Sequence, residues 1–385
     1  IFKNMRNQKI CIIGDGLSGL TTALSLKNLN LEIDLFYKEP LRPSVIDTRT
    51  TAISQSSFKF FEEEINIKKS NLFWPCKKIN LFYEKDNKNF NFLNYEEDKN
   101  NLMYIYQNQK LKKYLFQKLK KFKNVKLIKK EIKEINHEEG SVELLKKKRK
   151  IYDLVILCLG RESEHYKKIF KGKSIKKDYN EVAITCHIKH NLKINAASQY
   201  FYEEGPLAIL PFKNSFFSLV WSVSNNFFEK NNLNIRSIIE KKLKTILKTT
   251  SKIKISNVKS FPIYLRLSKK YHKQNCLILG EGLHTIHPIA GQGFNLILRD
   301  IKKLKELIKK NIDLGLNIKN SFVLKNFYNS RNAENTIFGV GVDITNSFFK
   351  KNKHFDRTKF ALLDNIVKYK NFKKITKYIS DKGFF

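Results

Sequence analysis

Two glycine-bearing segments, far apart in the chain, hold the residue types from which a nucleotide site is built. The first is Gly14-Asp15-Gly16-Leu17-Ser18-Gly19, directly after the apolar run of residues 9–13. In that setting Gly14 permits a tight turn and Gly16 lets backbone approach a pyrophosphate. Gly19 allows a helix to pack closely on the strand. The helix that Leu17 and Ser18 open supplies amides and the positive end of its dipole to the phosphates. Some twenty residues on, a ribose-binding carboxylate is expected, but the second strand ends Phe36-Tyr37-Lys38-Glu39. Tyr37 stands in the acidic position beside Lys38. A phenol offers one hydrogen bond where a carboxylate offers two acceptor oxygens, and Glu39, past the strand end, is a substitute.

The second segment runs from Gly280-Glu281 through Pro288 to Gly291-Gln292-Gly293-Phe294-Asn295. A carboxylate directly after a strand-terminal glycine, Glu281 after Gly280, suits a ribityl or ribose hydroxyl. Pro288 fixes the backbone, and Gly291 and Gly293 let amides come close to a flat ring. The helix that starts near Gly293 points its positive end at whatever lies there, which suits an anionic ring. His284 and His287 have a spacing that one helical face would bring together. Pro288 and the glycines argue for a loop instead, and no third ligand is evident, so no metal is expected.

These residues need elements to position them. Leu17, Leu20 and Leu24 keep one helical stripe, and Leu31, Ile33 and Leu35 alternate with Glu32 and Asp34 as in a strand. Strand, glycine turn, helix and strand begin a βαβ unit. Residues 101–122 have a helical pattern, 152–159 and 276–279 read as buried strands, and 181–223 is rich in short β-like runs. Residues 294–308 keep an apolar helical face, and 317–385 reads as helical. The expected fold class is mixed α/β. A Rossmann-like nucleotide-binding domain is assembled from residues 5–75, 100–175 and 270–312. Residues 76–99 and 176–269 form a β-sheet substrate domain, and 313–385 a C-terminal helical region.

The formal charge of +38, from 74 basic and 36 acidic residues among 385, would suit nucleic acid or an anionic membrane. Overuse of Lys, Asn, Ile and Phe is also the pattern that an A/T-rich genome imposes on exposed positions. No zinc knuckle, helix-turn-helix or RNP-like motif is present, so no nucleic acid partner is expected. Five cysteines, none in CxxC spacing, read as free thiols in a reducing compartment. The first ten residues are polar and basic and predict no signal peptide. No apolar run reaches the length of a membrane span.

Taken together, the motifs resemble the FAD-dependent aromatic hydroxylases (para-hydroxybenzoate-hydroxylase-like), in particular their ubiquinone-biosynthesis branch of UbiH/UbiF type. Gly280 to Asp300 resembles the GDAAH-x-x-HP-x-AGQG-x-N-x-G-x-x-D signature. Residues 47–54, with Arg49, resemble the D-x-R-x-x-AL-S segment, and 104–111, with Asn108, the Y-x-x-x-N-x-x-L segment. Gly205 to Pro211 and Ser218 to Trp221 resemble GPLA-x-LP…SLVW, and Tyr328 to Arg331 with Asp343 the C-terminal Y-x-x-x-R…D.

The resemblance implies bound FAD and an O2-dependent hydroxylation of a polyprenylated phenol or quinone precursor through a flavin C4a-hydroperoxide. It implies that Pro288, Gly291, Gln292, Gly293 and Asn295 surround the isoalloxazine, that Arg49 lies on its opposite side, and that Asn108 contacts the cofactor. It also implies a cytoplasmic protein peripheral to the inner membrane, attracted to anionic lipid and working beside other quinone-biosynthesis proteins. Departures are Tyr37, Glu281 for Asp, Ile297 for Gly, Leu159 for the Asp of a D-G motif, and Tyr166 for Arg. They leave the electron donor open between NAD(P)H and a ferredoxin-like protein. They also support an alternative, a non-catalytic flavoprotein subunit of a quinone-biosynthesis complex. The basic, Phe-rich C-terminal part (Phe348, Phe349, Phe355, Phe360, Phe372) is expected to cap the FAD domain, with membrane contact as the other reading.

Overall fold

The structure, a computed structural model, describes residues 7–38, 47–67, 71–85, 88–145, 148–160, 163–171, 174–320, 322–350, 361, 363, 365 and 370–382. Glu39, Arg161, Glu162, Phe355 and Phe360 lie outside the described residues.

Strand Gln8–Ile13 is central to a six-stranded sheet. It pairs in parallel with Leu31–Tyr37 on one side and Leu154–Leu157 on the other. Val125–Lys129 lies beyond the first, and Cys276–Ile278 then His272–Lys273 beyond the second. Ile10, Cys11 and Ile12 are fully buried, as are Val155, Ile156 and Leu157. Unbroken apolar runs of this kind belong in a parallel sheet covered on both faces. Helix Leu17–Leu26 covers one face, and the antiparallel strands Ile132–Asn136 and Ser141–Leu144 pack into the same core, with the exposed strand Arg149–Ile151 at their edge. The mixed α/β, Rossmann-like class expected from the sequence is therefore borne out.

An eight-stranded sheet stands beside it. Its order is His284–Thr285, Lys254–Ser268, Ser174–Lys189, Phe216–Ser224, Pro206–Lys213, Ala197–Phe201, Lys78–Lys85 and Lys88–Glu96. Alternation assigns its faces. Ile184, Cys186, Leu207, Ile209, Leu219 and Trp221 pack with Ile239 and Leu243 of helix Ile235–Leu247. Their neighbours Ala183, Thr185, Ala208 and Val220 face the other way and line a cavity. Small residues on this face leave space where large ones would fill it.

A three-stranded sheet of Thr50–Ser54, Met103–Gln107 and Phe73–Cys76 closes the floor. The helical pattern over residues 101–122 is therefore half right. Met103–Gln107 is a strand, because Tyr104 and Tyr106 sit between two pairing partners, and the helix spans Asn108–Leu119. Among the described residues of the C-terminal part are the long helices Gly293–Asp313, Val323–Phe349 and Lys370–Lys382.

Candidate active site

Gly14 has φ +116°, and its amide donates to the Phe36 carbonyl at 2.9 Å. A Cβ on Gly19 would lie 2.0 Å from the Gly14 carbonyl oxygen, whereas a Cβ on Gly16 would meet nothing within 4 Å. The outer glycines are thus locked against protein, and the middle one is open to the cavity that it lines with Leu17 and Ser18. Gly16 caps the helix without a side-chain hydrogen bond, and the first turn holds no acidic residue. Helix Gly293–Asp313 begins in the same way, uncapped by a side chain and without an acidic first turn. Gln292, Gly293, Phe294 and Asn295 line the same cavity. Two helix N-termini without side-chain caps therefore open into one space. The two segments also touch, since a Cβ on Gly280 would stand 2.7 Å from Ser18 Oγ.

The cavity holds about 1540 Å³, and Arg49, Asn108, Glu281, Pro288 and Gly291 line it as well. Gly14, Gly19, Tyr37, Lys38 and Gly280 are not among its lining residues. The Tyr37 ring packs edge-on to Phe116 at 5.2 Å, and Lys38 pairs with Glu131. Arg49 is fixed by a two-pronged pair with Asp47, with Nε to Oδ1 and Nη2 to Oδ2 both at 2.8 Å. Asn108 Nδ2 donates to Asp47 Oδ2 at 3.0 Å, and Thr51 Oγ1 donates to Asn108 Oδ1 at 2.7 Å. Burial works against both charges, yet the pairing outweighs it, raising the Arg49 pKa and lowering that of Asp47. The guanidinium also sits 5.2 Å from the Phe261 ring centre. Asn295 is buried. Its Oδ1 accepts the Ser54 amide at 2.9 Å and its Nδ2 donates to the Gly291 carbonyl at 3.4 Å, which ties the second glycine loop to the strand Thr50–Ser54 that follows Arg49.

Each histidine of the second segment has a carboxylate partner. His284 Nε2 lies 2.6 Å from Asp300 Oδ2, and Arg331 Nε donates to Asp300 Oδ1 at 2.7 Å. Arg331 also pairs with Glu334 and donates to Asn335 Oδ1. Arg331 and His284 together hold the Asp300 carboxyl below its ordinary range, against the opposing effect of complete burial. His287, fully buried, accepts the Ile289 amide on Nδ1 at 3.2 Å, so its Nε2 carries the proton toward Glu181 Oε2 at 3.0 Å. Glu181 lies on strand Ser174–Lys189, so this contact joins the glycine loop to the eight-stranded sheet. Burial opposes ionisation of Glu181, but His287 and Lys350 lower its pKa.

Two features were not read from the sequence as parts of the site. Tyr166 accepts the Leu159 amide at 2.9 Å and donates to the Leu157 carbonyl at 3.3 Å. Its ring fills the space beside Gly282, where a Cβ would lie 2.4 Å from it. Leu159 and Tyr166, two of the departures from the resembling family, are thus joined, through the backbone amide of the one and the phenol of the other. The signal was present, since both departures fall within one short stretch. The second feature is helix Lys370–Lys382. Phe372, Thr376, Lys377 and Asp381 line the cavity, Ser56 N donates to Asp381 Oδ1 at 2.7 Å, and Tyr95 and Thr376 hydroxyls meet at 2.7 Å. No local sequence signal connects Asp381 with Ser56.

The cavity fits FAD. Thr50 Oγ1, Gln55 Oε1 and Gln292 Oε1 are buried, belong to cavity-lining residues and find no hydrogen-bond partner among the described residues. A ligand in the cavity would supply the hydrogen-bond partners that these three atoms lack. An open glycine, two helix starts without side-chain caps and unpartnered polar atoms in one cavity define a flavin-dinucleotide-binding protein. The chain belongs to the FAD binding domain family, which matches residues 7–312.

It is 25% identical to the ubiquinone biosynthesis monooxygenase COQ6 of Dictyostelium discoideum, covering 94% of this chain and 89% of that protein. A stretch of 155 residues, 40% of each chain, is 30% identical to the 3-demethoxyubiquinol 3-hydroxylase of Escherichia coli. Among solved structures, p-nitrophenol 4-monooxygenase PnpA from Pseudomonas putida shares the fold with a TM-score of 0.79 and 15% identity over 98% of this chain and all of that one. PqsL from Pseudomonas aeruginosa does so with 0.76 and 14% over 94% of this chain and all of that one.

Proposed function

We propose that this FAD-dependent monooxygenase hydroxylates the aromatic ring of a polyprenylated phenol or quinone precursor in ubiquinone biosynthesis. One observation carries the substrate class. The cavity passes from the two polar helix starts into an apolar half lined by Phe92, Phe201, Phe348, Phe349 and Phe372. A flat ring suits the first half and a hydrocarbon tail the second. The names of the relatives agree with this reading.

In the proposed site Gly16, Leu17 and Ser18 would hold the pyrophosphate on the turn that Gly14 and Gly19 fix, while Tyr37 and Lys38, which do not line the cavity, support the end of the second strand. Gly280 and Glu281 hold the ribityl end. Pro288, Gly291, Gln292, Gly293, Phe294 and Asn295 would hold the isoalloxazine, with Arg49 and Asn108 as further contacts from the same cavity. When bound, FAD supplies the activation of O2. The protein's own part is positional. Helix dipoles and the Arg49 guanidinium stabilise negative charge on the ring. The Asn295–Ser54 bond holds the glycine loop against the three-stranded sheet, and the His287–Glu181 contact holds it against the eight-stranded sheet. Ala183, Ala208 and Val220 leave room for the ring, and the phenylalanines keep water out.

The domain reading is proposed with the site: residues 5–75, 100–175 and 270–312 for FAD, 76–99 and 176–269 for substrate, and 313–385 as helical cap. The electron donor is proposed as NAD(P)H or a ferredoxin-like protein, and the setting as the inner membrane with other quinone-biosynthesis proteins. Among the described residues no helix is long and apolar enough to cross a membrane. The test is to purify the protein, identify the released flavin, and supply reductant, O2 and a prenylated phenol. Mass spectrometry should find one added oxygen atom on the ring. Bound flavin with no product under either donor would favour the non-catalytic subunit.

A further inference from the structure

Helix Val323–Phe349 shows solvent an uncharged apolar stripe. Ile337 is 43% exposed, Val340 41% and Ile344 62%, and Ala333 continues the same face one turn earlier. Spacings of four, three and four residues put these side chains in one row. Residues 332–349 contain no lysine or arginine, in a chain where 74 of 385 residues are one or the other. If base composition alone filled exposed positions, this face would carry lysines like the rest of the surface. It carries Ile, Val, Ala and Thr instead.

The stripe ends at an opening. Ile344 and Thr345 are exposed and also line the cavity, next to Phe348 and Phe349. Phe349 stacks on Phe201 at 3.6 Å and meets Phe92 at 5.8 Å, so an aromatic wall continues inward from the opening. Beyond the row, helix Lys370–Lys382 exposes Lys374 and Lys382 beside Ile375 and Tyr378, whereas Lys177 and Lys350 are paired with Asp343 and Glu181.

We propose that this face, centred on Ile337, Val340 and Ile344, docks on an anionic lipid bilayer, with the aliphatic row in the hydrocarbon boundary and the cavity mouth opening to it. The inference rests on the proposed prenylated substrate, which would enter from the bilayer without crossing water. Two features favour lipid over a protein partner. The row lacks the Trp, Tyr and Arg anchors that dominate protein interfaces. An aliphatic row with exposed lysines beyond it also suits an interfacial surface.

The test is flotation of the FAD-loaded full chain with vesicles of phosphatidylcholine, with and without cardiolipin. Ile337→Asp with Val340→Asp should lower binding to cardiolipin vesicles by about tenfold or more. Ile337→Lys with Val340→Lys should lower it also, because the lysines block insertion. Tighter binding of the lysine pair would show purely electrostatic attachment and overturn the proposal, as would wild-type binding by the aspartate pair. Self-association of the wild-type chain that the aspartate pair abolishes, without vesicle binding, would assign the face to a second copy and overturn it too. Flavin content and turnover of a short-tailed, water-soluble phenol report on the proposed function separately. Both should be unchanged in either double variant, while turnover of a vesicle-borne long-tailed phenol falls.

Discussion

The two walls of the cavity are made from different parts of the amino acid. The wall at residues 14–19 and 280–295 depends on backbone fit, with Gly14 and Gly19 against carbonyls, Gly280 and Gly282 against side chains, and two helix starts without side-chain caps. The wall formed by the eight-stranded sheet and the C-terminal helices is side chain, small on one surface and aromatic on the other. Backbone contact at 2.0 Å from a missing Cβ has no alternative residue. Aromatic packing accepts substitutes of similar volume at a modest cost. Function should therefore fail abruptly on the first wall and by degrees on the second.

The largest effect expected is at Gly19. Gly19→Val would press a branched side chain into the Gly14 carbonyl, and we expect neither a folded nucleotide domain nor bound flavin, as read by flavin absorbance per chain and thermal melting. Next is the buried ionic cluster behind the second glycine loop. Arg331→Met removes the main partner of Asp300, which is fully buried, and should cost about 3–5 kcal/mol in denaturant unfolding. The same cluster sets an acid limit. Asp300 ionises below its ordinary range in the fold. The stability it adds is fully present above the unfolded value, about 4, and is lost as pH falls through the lower folded value. Melting temperature against pH should show this acid limb in the wild type and a flatter one in Asp300→Asn, which starts from a less stable protein. An equally steep limb in the variant would remove Asp300 from the account.

Gly16 separates ligand from fold. Its Cβ would touch no protein atom within 4 Å, so Gly16→Ala should melt like the wild type. It should nonetheless bind FAD about tenfold more weakly or worse, because the added methyl stands where the pyrophosphate comes close. Titration of the apoprotein with FAD, followed by quenching of flavin fluorescence, checks this. Unchanged affinity would mean that the phosphates approach elsewhere on the loop.

The same contrast explains what was legible in the sequence. Glycine spacing and the Gly280–Asn295 segment announce themselves because backbone geometry admits few residue types, and the βαβ order follows from periodicity. The strand at Met103–Gln107 was missed because its alternation is short and runs directly into a helix. The partners of His284 and His287 were not named, for Asp300 and Glu181 lie on other elements and only the fold brings them in. Latching of the C-terminal helix by Asp381 on Ser56 spans almost the whole chain. Phe348, Phe349 and Phe372 were expected to cap the FAD domain, and their rings form cavity wall over the sheet. Side-chain walls are assembled from scattered positions whose composition is ordinary, and here Phe is common everywhere.

The smallest effect should come from that second wall. Phe349 is half-buried and stacks on Phe201, with Phe348 edge-on at 5.1 Å. Phe349→Leu keeps an apolar side chain of lesser volume and loses the stack, so stability should fall by about 1 kcal/mol. Flavin content should not change, because no part of the glycine wall touches this ring among its ring contacts. The informative reading is the substrate series. If the aromatic half holds a hydrocarbon tail, KM for a long-tailed phenol should rise severalfold while that for a tail-less phenol stays put and kcat moves little. Equal shifts for both substrates would mean that Phe349 acts on the ring-binding half, and the division of the cavity into a backbone wall for the cofactor and an aromatic wall for the tail would have to be redrawn.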